Sequence, residues 1–142
     1  MQKNDISNME LVKEYPWLQI KDSNTTWLDM LPDGWRWLII DMCAKIVRIL
    51  DRYDIDRSEY KVTDAKEKWG SLSWFSWLGD LDSIDNEIEG IDDATFRYVQ
   101  ALITNIEREY EHTSGNICMM CGRYKFKDEA VCKECENRLY NR

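Results

Sequence analysis

Histidine is nearly absent. His112 is the only one in this 142-residue chain, so a Ser-His-Asp or Cys-His mechanism would have to run through it. It falls among Glu109, Glu111 and Thr113 at the end of a helical pattern and reads as a surface residue. There is no phosphate-cradling glycine loop and no GxSxG. Carboxylates are plentiful, but none pairs at a spacing that sets catalysis apart from solvation. Long apolar runs are missing as well: the longest is Ile117–Cys121, against the roughly 20 residues a membrane helix needs. The opening MQKNDISNME has no apolar stretch of the secretory kind. Five cysteines without such a leader read as metal ligands or thiols of a reducing compartment, which points to the cytoplasm. No repeat, low-complexity tract or long linker divides the chain.

Basic charge is also short. Residues 116–142 carry six Lys/Arg against four Asp/Glu, while residues 1–115 carry thirteen against twenty-three. The boundary divides an acidic body, 1–115, from a cysteine-rich tail, 116–142. A body of that sign repels nucleic acid and favours a partner with a basic surface.

The body is organised around Trp35 to Tyr53. At 3.6 residues per turn, Asp41, Lys45, Arg48 and Arg52 share one narrow stripe, and apolar side chains fill an arc of roughly 200° opposite it. A surface helix needs about 100°, so this helix is central, with Asp33 as its expected N-cap. Ahead of it, Ser7 with Glu10 has the spacing of a capping box over 6–14. Tyr15-Pro16 enforces an extended step, and Asn24 or Thr25 caps a single turn. Behind it, EYKVTDAKE and SLSWFSWL alternate with period two around Lys68-Trp69-Gly70, a β-hairpin pattern. One hairpin face is expected on the central helix. The other carries Phe75 and Trp77.

Residues 80–93 hold seven acids and no base, in an order that does not fit a calcium loop. Leu81, Ile84, Ile88 and Ile91 are expected to face inward. A second long helix follows, capped by Asp92 or Asp93. Phe96, Val99, Ile103, Ile106 and Tyr110 form its apolar stripe, Glu107, Arg108, Glu109 and Glu111 its wet end, and Gly115 its stop.

The sharpest chemical signal is Cys118-x-x-Cys121 followed by Cys132-x-x-Cys135. Four thiolates satisfy a tetrahedral zinc and leave no open position for a substrate, so the metal is read as structural. Iron suits the same cage, although Glu136 stands where a rubredoxin-like site has glycine. A thioredoxin-type motif would need a βαβ setting that is missing. Gly122 supplies a tight turn, residues 123–131 a small hairpin turning at Asp128-Glu129, and the second pair opens a terminal helix. Cys43, on the apolar arc, is expected to be buried and inert.

Three blocks together resemble a family of small, uncharacterised proteins from bacterial and phage genomes. They are Asp33-Gly34-Trp35 with Leu38, Ile39 and Cys43; Ala65-Lys66-Glu67-Lys68-Trp69-Gly70-Ser71-Leu72; and Cys118-Met-Met-Cys121-Gly122 with Cys132 and Cys135. That family more often has phenylalanine where Trp69 stands and an Arg-aromatic pair at Ser73-Trp74. The resemblance implies a phage or mobile-element origin and brings no activity, substrate or catalytic residue.

These features predict an α+β domain, two long helices packed with one hairpin, ending in a four-cysteine zinc knuckle. The expected function is non-enzymatic protein binding, in a phage setting the inhibition of a host defence complex of the CRISPR type. Phe75 and Trp77 would supply the anchor and Asp80, Asp82, Asp85, Glu87 and Glu89 the charged rim. The alternative is nucleic-acid binding through the tail, where Arg123, Lys125, Lys127, Lys133, Arg138 and Arg142 interleave with Tyr124, Phe126 and Tyr140. No membrane contact is expected.

Overall fold

The computed structural model describes residues 6–80 and 88–140. Among them, four α-helices and one antiparallel hairpin make an α+β fold: α1 Trp27–Met30, α2 Arg36–Arg52, β1 Tyr60–Lys68, β2 Ser71–Leu78, α3 Asp93–Ser114 and α4 Lys133–Tyr140. None of these helices is long and apolar enough to cross a membrane.

The central helix is α2. Leu38, Ile39, Met42, Cys43, Ile46, Val47 and Leu50 are buried, and Asp41, Lys45, Arg48 and Arg52 lie on its exposed side. Its wide apolar arc is covered from several directions, as a surface helix's would not be. Helix α3 packs along one flank. The segment before α1 covers another, where the Trp17 indole N–H reaches Cys43 Sγ at 3.2 Å and Arg36 Nε donates to Asn8 Oδ1 at 2.8 Å. Cys43 is buried in this packing, as its place on the arc requires.

Several local expectations are corrected. Ser7 does accept the Glu10 N–H, at 3.2 Å, but only a 3-10 turn, Glu10–Lys13, follows it. Tyr15 leaves the helical region, yet Pro16–Leu18 is a 3-10 turn rather than an extended step. The cap of α1 is Thr26, not Asn24 or Thr25, because only Thr26 closes a reciprocal box with Asp29. Asp33 caps nothing: Asp33–Trp35 forms a 3-10 turn, and α2 begins without a side-chain cap.

The hairpin turns through Trp69 and Gly70, both with positive φ, 54° and 86°, the two-residue turn whose twist suits antiparallel strands. Strand β2 keeps its predicted alternation, with Leu72, Trp74 and Leu78 buried. In β1 a bulge between Val62 and Asp64 inserts Thr63. Asp64 therefore leaves the inward row of Tyr60 and Val62, and Ala65 takes its place. The inner-face side chains Tyr60, Leu72, Trp74 and Leu78 share one core with the buried side of the central helix, while α3 packs alongside β2. Helix α3 also covers the outer edge of β2: Leu72 N–H donates to Ser114 Oγ and Trp74 N–H to the Glu111 carboxylate, both at 2.7 Å. These bonds satisfy main-chain donors that a lone hairpin would leave to solvent.

Along α3, Asp92 caps the first turn by accepting the Thr95 N–H at 2.8 Å. Phe96, Val99, Ile103 and Tyr110 are buried as expected and Ile106 is half-buried, but Glu107 is 1% exposed rather than wet. Gly115 ends the helix in a right-handed conformation. Its lack of a side chain serves close packing, since a Cβ there would approach Ser71 Oγ to 3.2 Å. Ile88 and Ile91 pack against the core; Leu81 and Ile84 lie outside the described residues.

Candidate metal centre

The four tail cysteines converge. The sulfurs of Cys118, Cys121, Cys132 and Cys135 all lie within 4.8 Å of one another, and the group could hold a metal ion. Cys118 and Cys135 are buried, Cys121 is exposed and Cys132 intermediate. Cys118 Sγ accepts backbone N–H groups from Cys121 at 3.5 Å and Cys132 at 3.2 Å. Cys132 precedes α4, whose first turn is tied back by Glu136 N–H to the Cys132 carbonyl at 2.9 Å. The hairpin expected over 123–131 is not formed. A single bridge joins Ile117 to Tyr124, and a turn closes from Phe126 to Glu129.

The electrostatics of the cluster favour a cation. Burial opposes ionisation of Cys118, but the N–H groups of Cys121, Cys132 and Met120 and the Cys121 thiol outweigh it and bring the thiol down to about 6. Burial, then the three neighbouring cysteines, push Cys135 up to about 12. One thiolate forms readily and the last is refused, because like charges this close repel. A bound divalent cation reverses that order by paying each thiolate with positive charge.

The knuckle is built onto the body rather than appended to it. Gly34 N–H donates to the Met119 carbonyl at 2.8 Å. Trp35 Nε1 donates to the Ile117 carbonyl at 3.2 Å and Trp37 Nε1 to the Gly122 carbonyl at 3.0 Å. A Cβ on Gly34 would fall 2.0 Å from the Cys118 carbonyl oxygen, so only glycine lets the two backbones approach this closely. Gly122, at φ 80°, completes the turn after the first pair. The sequence separates Gly34-Trp35 from the cysteines; the fold makes them one unit.

The expected partner residues are placed as follows. Phe75 and Trp77 point outward from β2, 49% and 36% exposed. The Trp77 indole N–H donates to the Asp80 carbonyl at 3.1 Å. Lys66 Nζ stands 5.8 Å from the Phe75 ring centre. Asp80 and Glu89 are exposed, whereas Asp82, Asp85 and Glu87 lie outside the described residues. The register sets Lys61 opposite Trp77 and Asp64 opposite Phe75, so lysine as well as acid borders the aromatic pair. His112 is exposed, as expected.

One polar cluster had not been expected. Glu107 Oε2 accepts from Tyr60 Oη at 2.5 Å and from Ser76 Oγ, and the Trp74 indole N–H donates to Tyr60 Oη at 2.8 Å. Burial raises the Glu107 pKa above its ordinary value, and burial followed by the nearby carboxylate raises that of Tyr60 well above its own. The signal was present in the spacing, since 99, 103, 107 and 110 fall on one helical stripe. Against protein families, curated proteins and solved structures, the chain matches none.

Proposed function

We propose that the protein is a non-enzymatic, zinc-stabilised binding module whose outer hairpin face engages another protein. The observation that carries this reading is the half-exposed pair Phe75 and Trp77 on a strand whose other face is fully committed to the core. Large rings left in solvent at neighbouring outward positions suit an interface anchor. Asp80 and Glu89 lie on the described flanks of the acidic run, where they would supply a rim toward a basic partner surface. Inhibition of a nucleic-acid-binding defence complex is one form this function takes, with carboxylates occupying positions that phosphates otherwise fill. Zinc is the ion best suited to four thiolates in a closed cage, and its role is to hold the knuckle rather than to react.

Affinity capture from host-cell lysate tests the binding reading. A protein retained by the wild type and lost by a Phe75→Ser/Trp77→Ser variant of unchanged fold supports it. Equal retention by both sinks it.

A further inference from the structure

The hairpin turn and the cysteine tail meet at Gly115. A Cβ built there would stand 3.2 Å from Ser71 Oγ and 3.8 Å from Lys127 Cγ, so both segments flank the same point. Lys125 Nζ donates to the Gly115 carbonyl at 2.6 Å and holds the tail in place. Ser71, which follows the Trp69-Gly70 turn, and Lys127, more than fifty positions further along the chain, thus flank Gly115 from two sides.

These two segments carry three exposed rings. Trp69 is 92% exposed, Tyr124 73% and Phe126 78%, and none of them pairs with another ring among the described residues. Trp69 also occupies the left-handed region at φ 54°, which bulky side chains avoid. The hairpin turn requires that conformation and leaves the ring in solvent. Tyr124 and Phe126, two positions apart, border a crevice of about 420 Å³ that Lys125, Lys133, Cys132 and one acid, Glu129, also line. Lys68, Lys127 and Lys133 are exposed and make no ion pair among the described residues.

We infer that this composite surface binds single-stranded nucleic acid. Bases stack on Trp69, Tyr124 and Phe126, while Lys68, Lys127 and Lys133 meet phosphates. Rings interleaved with lysines follow the alternation of base and backbone in a single strand, and unpaired bases offer the faces that a duplex hides. A single strand matches both features at once, with bases on the rings and phosphates on the lysines. The chain's net charge of −8 and an anionic metal–thiolate centre oppose a polyanion. Stacking therefore supplies most of the affinity, and a contact with three lysines gives a shallow salt dependence, with a log–log slope of about −2. The surface excludes Phe75 and Trp77, so this inference stands or falls apart from the protein-binding reading.

Fluorescence anisotropy on the metal-loaded full chain tests it, with labelled oligothymidylate and oligouridylate of about 20 nucleotides at roughly 50 mM salt. Both should bind, and a duplex of equal length should bind at least about tenfold more weakly. Trp69→Asn, which suits the left-handed position, should weaken binding about fivefold. Tyr124→Ala/Phe126→Ala should weaken it about 20-fold with metal content unchanged, while Phe75→Ser/Trp77→Ser should leave it intact. Absence of single-strand binding, equal duplex binding, or indifference to the three ring substitutions overturns the inference. So does preferential binding of a glutamate–tyrosine copolymer, which would assign the surface to an acidic protein segment.

Discussion

Glu107 is the residue whose place in the core carries the clearest energetic consequence. Its carboxylate joins α3 to both strands through Tyr60 and Ser76, and the charges of Arg108 and Glu111 act on it in opposite directions. Burial raises its folded-state pKa above the ordinary 4.5, so folding favours the protonated form. Its destabilising effect is absent below the unfolded value and grows as pH rises toward the folded one. Glu107→Gln keeps an acceptor and cannot ionise, and should therefore gain stability relative to wild type between about pH 4 and 7 in urea denaturation. Glu107→Ala leaves the buried Tyr60 hydroxyl and the half-buried Ser76 hydroxyl without their acceptor and should lose about 2–4 kcal/mol at either pH. A wild type that gains on the Gln variant as pH rises would mean the ionised carboxylate is favoured in place. Its chemical type suggests solvent, whereas the 3.6-residue period assigns it to the inner face.

At the scale of elements, periodicity was legible and partnership was not. The central helix, the hairpin with its two-residue turn and the second helix all follow from apolar spacing, because burial selects for it. The bulge at Thr63 left no mark in YKVTDAKEK, since one inserted residue only swaps which of two polar-rich rows faces inward. Nor could local pattern tell that α3 would run along the edge of β2, where Glu111 and Ser114, solvent-bound by type, accept main-chain N–H groups. The cysteine spacing announced a site, while the turn at Gly34 that receives it gave no local sign. Gly34→Ala tests that junction. Its Cβ would meet the Cys118 carbonyl at 2.0 Å and Gly122 N at 2.8 Å, both main-chain atoms. Overpacking of this kind costs about 1–3 kcal/mol, and here it bears on the first cysteine pair. Competition against a chromophoric chelator should show metal affinity reduced by about tenfold or more. Unchanged affinity would mean that body and knuckle are energetically independent.

Across the whole molecule, the two halves of the knuckle are held very differently. Cys118 and Cys121 sit on a segment bonded to the body through Gly34, Trp35 and Trp37. Cys132, Cys135 and α4 are tied in by the Cys132 N–H to Cys118 Sγ and by the ion pair of Arg123 with Glu134, while the rings of Phe126 and Tyr140 remain exposed. Exposed ion pairs contribute at most about 1 kcal/mol, so a metal bound by the four cysteines would supply most of the cohesion of the second half. One zinc per chain is expected by elemental analysis, and Cys132→Ser should lose it whereas Cys43→Ser, altering a thiol committed to the core, should keep it. Removing the metal should release α4 and the 126–135 loop while the core around α2 and α3 persists. Hydrogen exchange would read this as protection lost across 126–140 and retained in Arg36–Arg52 and Asp93–Ser114, the spans of the two long helices. Global unfolding on chelation would make the ion a keystone of the entire fold. Full metal retention by the Cys132 variant would show that the four sulfurs gather without serving as its ligands.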